Sequence, residues 1–148
     1  MECRNVLIET EGDMEKALQA LKEKGLLKAG KKAHRETTQG LVEAYIHSGG
    51  RIGAMIELNC ESDFVARTDE FKELAHNLAM QIAACSPLCI SEEEFHGEDD
   101  LEPETACLLL QPYIKEPDKK IQDIIIDTIA KVGENIKVKR FARFEINA

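Results

Sequence analysis

Between Val42 and Ala83 the spacing of apolar residues changes period once, and that change limits the fold more than any other feature of the chain. Val42, Ala44 and Ile46 alternate with Glu43, Tyr45 and His47, and Ile52, Ala54, Ile56 and Leu58 alternate with Gly53, Met55 and Glu57. A period of two is that of a strand with one buried face. Ser48-Gly49-Gly50 supplies turn chemistry between the runs, so the pair reads as a β-hairpin with a continuous apolar face. From Phe71 the period lengthens. Phe71, Leu74, Ala75, Leu78, Ala79, Ile82 and Ala83 form an unbroken helical stripe, with Thr68 or Asp69 as cap and Pro87 as stop. A hairpin and a helix that each expose one apolar face bury both by packing on one another.

The flanks extend this unit. Asp13 is placed as the N-cap of a helix carrying Met14, Ala17, Leu18 and Leu21, with Gly25 at the position of a left-handed C-cap. Val6, Leu7 and Ile8 end an earlier helix that closes near Gly12. Ala29 to Gln39 is a polar, basic connector read as helical, because Gly30 is its only breaker. Ser91 to Thr105 is acidic; Ser91 and Glu94 fit a capping box for one turn, and His96 to Asp100 reads as an exposed loop. Leu108 to Leu110 returns to the core as a short strand or turn. Pro117-Asp118 is expected to start a helix bearing Ile121, Ile124, Ile125, Ile129 and Val132 and ending at Gly133. A final strand follows, apolar on both faces between Ile136 and Ile146. The sum is α+β: an antiparallel sheet of about three strands with helices packed on one face, preceded by a partial small helical domain.

The 148 residues suffice for a core burying roughly 70% of the unfolded surface. A hydrophobic fraction of 43% beside 32% charged residues fits a soluble protein, and no run approaches the ~18 apolar residues of a membrane span. No basic segment leads into an apolar one at the N-terminus, so no signal peptide is expected. Net charge is -9, which disfavours direct binding to phosphate backbones despite the basic cluster from Lys28 to Arg35. The five cysteines are odd in number and scattered, as for free thiols in a reducing compartment. Cys85 and Cys89 are the only pair close in sequence, and no second pair of ligand spacing answers them.

Enzyme constellations are absent from the sequence: no phosphate loop, nucleophile elbow or His-Glu-x-x-His helix occurs, and His34, His47, His76 and His96 fall on four different elements. The informative stretch is Asn59 to Arg67, between the hairpin and the helix. There Asp63-Phe64-Val65 sets two large apolar groups among charged neighbours. Two readings stand side by side. Phe64 or Val65 packs on Phe71 or Leu74 as a hydrophobic staple while Asp63 helps cap the helix, or Phe64 projects outward to enter a partner's pocket.

Asn59-Cys60-Glu61-Ser62-Asp63-Phe64-Val65-Ala66-Arg67 resembles the signature loop of the elongation factor Ts family, with Ser62 in place of the usual Thr. Three further stretches agree in order: Leu26 to Ala33 is similar to the family's Lys/Ala-rich linker, Tyr45-Ile46-His47 with Arg51-Ile52-Gly53 to its His-bearing hairpin, and Ile129 to Ile136 with Arg140 to Glu145 to its closing helix and strand. The resemblance implies an N-terminal part of a ubiquitin-associated-like domain over 1–27, lacking its first helix, a helical linker over 28–40, and a single core of the dimerisation type over 41–148. Ser91 to Gln111 is too short for the long helical hairpin that many members carry there.

By the same resemblance, the chain is no enzyme but a guanine-nucleotide exchange factor. It holds no cofactor of its own and acts on the GDP and Mg²⁺ of elongation factor Tu in the cytoplasm of a bacterium, or in an organelle. Ser62, Asp63, Phe64 and Val65 are implied as partner-binding residues, with Asp63 and Phe64 as the wedge and Asn59, Cys60 and Val65 shaping and holding the loop, and His47 as a second contact near the partner's phosphate loop. Met1, Lys28, His76 and Met80 are further candidate contacts. A homodimer is implied, and neither nucleic acid nor membrane is expected as a partner. Two other readings are a non-exchanging interaction module of the same fold and a small thiol- or zinc-dependent enzyme using Cys60 or Cys85.

Overall fold

The computed structural model describes residues 1–97 and 100–147. Of the acidic run expected as an exposed loop, Glu98 and Asp99 lie outside the described residues, and His96, Gly97 and Asp100 are exposed. The chain begins with α1 (Glu2–Glu9), reversed through Gly12 at φ +81°, and α2 (Met14–Lys32). Asp13 caps α2 as expected, its carboxylate accepting from the Lys16 N–H. Gly25 does not end the helix. α2 runs through it to Lys32, so the connector is helical over its first part and irregular from Ala33 to Thr38. At Gly25 a Cβ would meet Ile126 at 3.7 Å, an ordinary van der Waals contact, so the glycine is an interior helix residue that neither caps α2 nor is demanded by packing.

β1 (Gln39–Ile46), β2 (Ile52–Cys60) and β5 (Ile136–Glu145) form an antiparallel sheet in the order β1-β2-β5. α3 (Asp63–Ala66) and α4 (Asp69–Cys85) follow β2. Thr68 caps α4 by accepting from the Phe71 N–H, and the helix ends at Ser86, held left-handed at φ 48°. After a 3-10 turn at Glu92–Glu94 come a short α5 (Pro103–Ala106), a second 3-10 turn at Leu108–Leu110, and the small ladder β3 (Pro112–Tyr113) with β4 (Glu116–Lys120). α6 (Ile121–Val132) closes at Gly133, φ +76°.

The core is the layer between the sheet and α4. Ile56, Leu58 and Cys60 of β2 are completely buried against Phe71, Leu78 and Ile82 of α4, and Ile121, Ile125 and Ile129 of α6 join the same cluster. At ~25 cal/mol per Å² of apolar surface, each fully buried large side chain contributes about 1.5–3 kcal/mol. The architecture is therefore the α+β layer expected, with three further corrections in detail.

The first concerns the hairpin. The five-residue connection from His47 to Arg51 pairs Ile46 with Gly53 and Tyr45 with Ala54. This puts Leu41, Glu43 and Tyr45 on the core face with Ala54, Ile56 and Leu58, and Val42, Ala44 and Ile46 on the outer face with Met55. The two apolar rows that alternate so clearly thus lie on opposite faces, because one residue in the connection exchanges every side chain between faces. On β5 a bulge opposite the Glu57/Leu58 step turns Ile136 and Val138, and then Phe141 and Arg143, to the core face. That is why both faces of β5 carry apolar residues.

The second correction is the start of α6. Pro117 and Asp118 belong to β4, and the helix begins at Ile121, where Asp123 accepts from the Lys120 N–H at 3.0 Å. The capping box expected at Ser91 does not form: the Glu94 carboxylate takes the Ile90 N–H and not that of Ser91, and the Ser91 hydroxyl makes no cap bond.

Candidate functional site

The Asn59–Arg67 stretch is less a loop than a strand end and one helical turn. Asn59 and Cys60 still pair in the sheet, and Asp63–Ala66 forms α3. Ser62 is its N-cap, the hydroxyl oxygen accepting from the Val65 N–H at 3.3 Å. The structure divides the two readings of Asp63-Phe64-Val65 between its residues. Val65 packs into the core at 5% exposure, whereas Phe64 stands out at 78%. Exposing an aromatic ring on a structured turn forfeits burial worth about 2 kcal/mol. Asp63, at the first position of α3, pairs with Arg67 at 2.9 Å, both groups largely exposed.

A clasp that sequence reasoning missed holds this turn. The Ser62 N–H and Oγ–H donate to the two carboxylate oxygens of Glu134 at 2.9 and 2.7 Å. The Glu61 carboxylate in return accepts from the Asn135 N–H at 2.8 Å and pairs with Arg35 at 3.5 Å. The buried Asn135 side chain donates to the Arg35 carbonyl at 2.9 Å. Each carboxylate thus binds a backbone amide of the opposite segment. One signal lay in the sequence. Glu134 directly follows a helix C-terminus, where a carboxylate is disfavoured by the dipole unless it has a donor to meet.

Cys60 is completely buried and donates its S–H to the Ser62 carbonyl at 3.1 Å. Burial, with the nearby Glu134 charge, pushes its thiol pKa up, and burial does the same at Cys85. Neither is poised as a thiolate nucleophile. Among the described residues no group of three or more His, Cys, Asp or Glu side chains could hold a metal ion.

His47 lies elsewhere. β1 is eight residues long, starting opposite Cys60 and ending at Ile46, so roughly 25 Å of strand separates His47 from the α3 end. His47 Nδ1 is 3.0 Å from the Tyr45 hydroxyl, and His76 of α4 stands edge-on to the Tyr45 ring, 5.9 Å between centroids. Met80 lines a groove with Tyr45, His47 and Ile52. His47, His76 and Met80 therefore form one patch, and Ser62 to Val65 another. Met1 and Lys28 belong to neither. Met1 is exposed at the tip of α1, and the Lys28 ammonium donates to Glu2 at 2.8 Å, a bond that holds the Glu2 carboxyl below its usual range.

Among the described residues no helix is long and apolar enough to cross a membrane. The family model described as elongation factor TS matches residues 7–105. Elongation factor Ts of Heliobacterium modesticaldum is 46% identical over 176 aligned positions, covering 99% of this chain and 82% of that protein. The corresponding protein of Carboxydothermus hydrogenoformans is 44% identical, with 99% and 81% covered, and that of Desulfosudis oleivorans 45% identical, with 99% and 89% covered. The first alignment is longer than the 148-residue chain, so at least 28 of its positions (176 less 148) have no counterpart here. A family model matched over two thirds of the chain, and relatives 44–46% identical along nearly its whole length, show that the chain belongs to the elongation factor Ts family of translation elongation.

Proposed function

We propose that this chain drives guanine-nucleotide exchange on elongation factor Tu by binding alone, with no covalent chemistry and no cofactor of its own. The observation that carries the reading is Phe64, 78% exposed on a turn whose neighbours Ser62 and Val65 are fixed. A ring held by its backbone loses little entropy on entering a partner's pocket. In this reading Phe64 wedges between helices of the partner's nucleotide domain. Asp63 exchanges its exposed pairing with Arg67 for a donor on the partner, at little cost because exposed ion pairs are weak. The displaced helix draws away groups that position Mg²⁺, and GDP loses affinity with its metal and phosphate cradle disturbed. His47, with His76 and Met80 beside it, makes a second contact one strand length away. Met1 and Lys28, on the partial helical domain over 1–27 and the start of its linker, reach a third surface.

The thermodynamics is linkage. The factor accelerates release to the extent that it binds the nucleotide-free partner more tightly than the GDP-bound one. A thousandfold acceleration needs about 4 kcal/mol of such difference, within the range of one aromatic anchor and its surroundings. The test is release of fluorescent GDP from elongation factor Tu. The chain should accelerate it strongly and Phe64→Ala should lose most of that acceleration. Release at the spontaneous rate with the intact chain would leave a non-exchanging module of this fold.

We further propose a homodimer in a bacterial cytoplasm. Val42, Ile46, Met55, Phe144 and Ile146 form an exposed apolar face on the sheet side away from α4. Exposed patches of this kind are uncommon on monomers, and a second copy placing the same face against it gives a closed, self-complementary sandwich. Sedimentation should give twice the chain mass, and Met55→Lys should return it to one.

A further inference from the structure

Beyond the C-terminal end of α4 the chain makes a neck that exchange does not use. The stretch leaving Pro87 and the stretch entering Leu108 run side by side. The Leu88 and Cys89 N–H groups donate to the Ala106 carbonyl at 2.8 and 3.2 Å, and the Leu108 N–H donates to the Cys89 carbonyl at 2.9 Å. Cys89 and Cys107 face one another as the paired residues of this parallel bridge, with their Sγ atoms 3.4 Å apart. Cys89 is partly exposed, Cys107 buried. Cys85, the nearer partner in sequence, is engaged elsewhere, its Sγ accepting from the Gln81 amide at 3.4 Å. Neighbouring strand residues fall within the Cα separation a disulfide tolerates, and bonding needs the two sulfurs to close to ~2.05 Å.

We propose that Cys89 and Cys107 are an oxidation site, at which an intrachain disulfide closes residues 90–106 into a loop at its base. A low-molecular-weight disulfide is the oxidant. The accessible Cys89 sulfur loses its proton and attacks one sulfur of that oxidant, expelling the first small thiolate and leaving a mixed disulfide. The Cys107 sulfur, already alongside, then loses its proton and attacks the Cys89 sulfur, expelling the second. Two protein thiols are oxidised, one small disulfide is reduced to two thiols, and the two protons end on the leaving groups.

The surroundings define what kind of site this is. Burial first, and the bond to Cys107 second, push the Cys89 thiol up to about 11. Little thiolate exists at neutral pH, so the disulfide forms slowly. Because the reduced form gains nothing from a stabilised thiolate, the disulfide is also hard to reduce. The pair is a staple, not a fast sensor. It fixes the neck through which Gln111 reaches Thr105 and Gln81. Asp63 and Phe64 precede the other end of α4, a helix of 17 residues spanning roughly 25 Å, so the oxidised and reduced chains should exchange nucleotide alike.

The test equilibrates the full chain in glutathione buffers of graded ratio, traps free thiols with an alkylating agent, and digests with a Glu-specific protease. No Lys or Arg lies between Glu73 and Ile114, so trypsin cannot part the two cysteines, whereas Glu92 to Glu94, Glu102 and Glu104 lie between them. The expected result is a Cys89–Cys107 link that still holds in more than half the molecules at about a tenfold excess of reduced over oxidised glutathione. The link persists in Cys85→Ser and vanishes in Cys89→Ser, and oxidation raises the thermal midpoint of the parent but not of Cys89→Ser. Cys89→Ala repeats the measurement without a new hydroxyl. A link through Cys85, a lasting glutathione adduct on Cys89, or free thiols throughout the series overturns the proposal.

Discussion

Glu134→Ala should weaken exchange without touching any residue that meets the partner. The carboxylate accepts two hydrogen bonds from Ser62, at 2.9 and 2.7 Å, across 72 residues of sequence. A hydrogen bond to a charged group contributes about 1.5–3 kcal/mol when buried. Both groups here are only partly buried, so water replaces part of each bond, and the pair together is worth about 2–3 kcal/mol. A domain of this size has a stability of about 5–15 kcal/mol, so the variant remains folded. The loss falls on α3, whose tether to the α6–β5 turn is cut. If Phe64 must be held before it enters its pocket, 2–3 kcal/mol of lost ordering lowers affinity for nucleotide-free elongation factor Tu by up to roughly 30–150-fold, at 1.4 kcal/mol per decade. Glu134→Gln keeps one acceptor for the Ser62 N–H and should fall between the two. The assay pairs stopped-flow GDP release with amide hydrogen exchange at Ala66, whose N–H bonds the Ser62 carbonyl at 3.3 Å. Faster amide exchange at Ala66 with undiminished GDP release would refute the idea that a fixed turn matters. A double-mutant cycle with Ser62→Ala should show coupling above ~1 kcal/mol, and additivity would place the effect of Glu134 elsewhere.

Other outcomes follow from the same geometry. Val65→Ala should cost about 1–2 kcal/mol in thermal or denaturant unfolding, whereas Phe64→Ala should stay within about 0.5 kcal/mol of the parent, since only the first side chain is buried. Gly40 has φ +152°, and a Cβ there would stand 2.1 Å from the Leu58 carbonyl oxygen. Gly40→Ala should therefore destabilise by about 2–4 kcal/mol, read as a lower urea midpoint, because backbone and not a flexible side chain obstructs it.

What could be read from the sequence was whatever local chemistry decides. The stripe from Phe71 to Ala83, its Thr68 cap, the Asp13 cap and the Gly133 stop each depend on residues within one or two turns, and each stands as expected. The family loop was legible because its residues are contiguous. The faces of the hairpin were not legible, because pairing Ile46 with Gly53 depends on the path of the connection and not on either strand's pattern. Gly25 misled because a glycine that ends a helix and one inside a helix look alike in sequence, and only the continuation of α2 to Lys32 tells them apart. The Glu134 and Glu61 clasp, the Cys89–Cys107 pair and the Tyr45-His47-His76 patch join residues distant in sequence. Their partners are fixed by topology alone.

The separation of the two patches makes the exchange reading stricter than a single wedge would. Phe64 and His47 sit at opposite ends of one hairpin, braced along its length by α4, and roughly 25 Å of strand lies between them. Contacts so far apart with no shared partner within the chain should add. On a rigid frame, Phe64→Ala and His47→Ala each lower affinity for nucleotide-free elongation factor Tu, and the double variant should lose the sum of the two free energies to within about 0.5 kcal/mol. Titration of the four proteins against the nucleotide-free partner measures this directly. A double variant losing much less than the sum would mean that one contact cannot form without the other, so that the hairpin and α4 yield on binding. A His47→Ala variant indistinguishable from the parent would confine the working surface to α3, with the Tyr45-His47-His76 patch left as internal packing of β1 on α4.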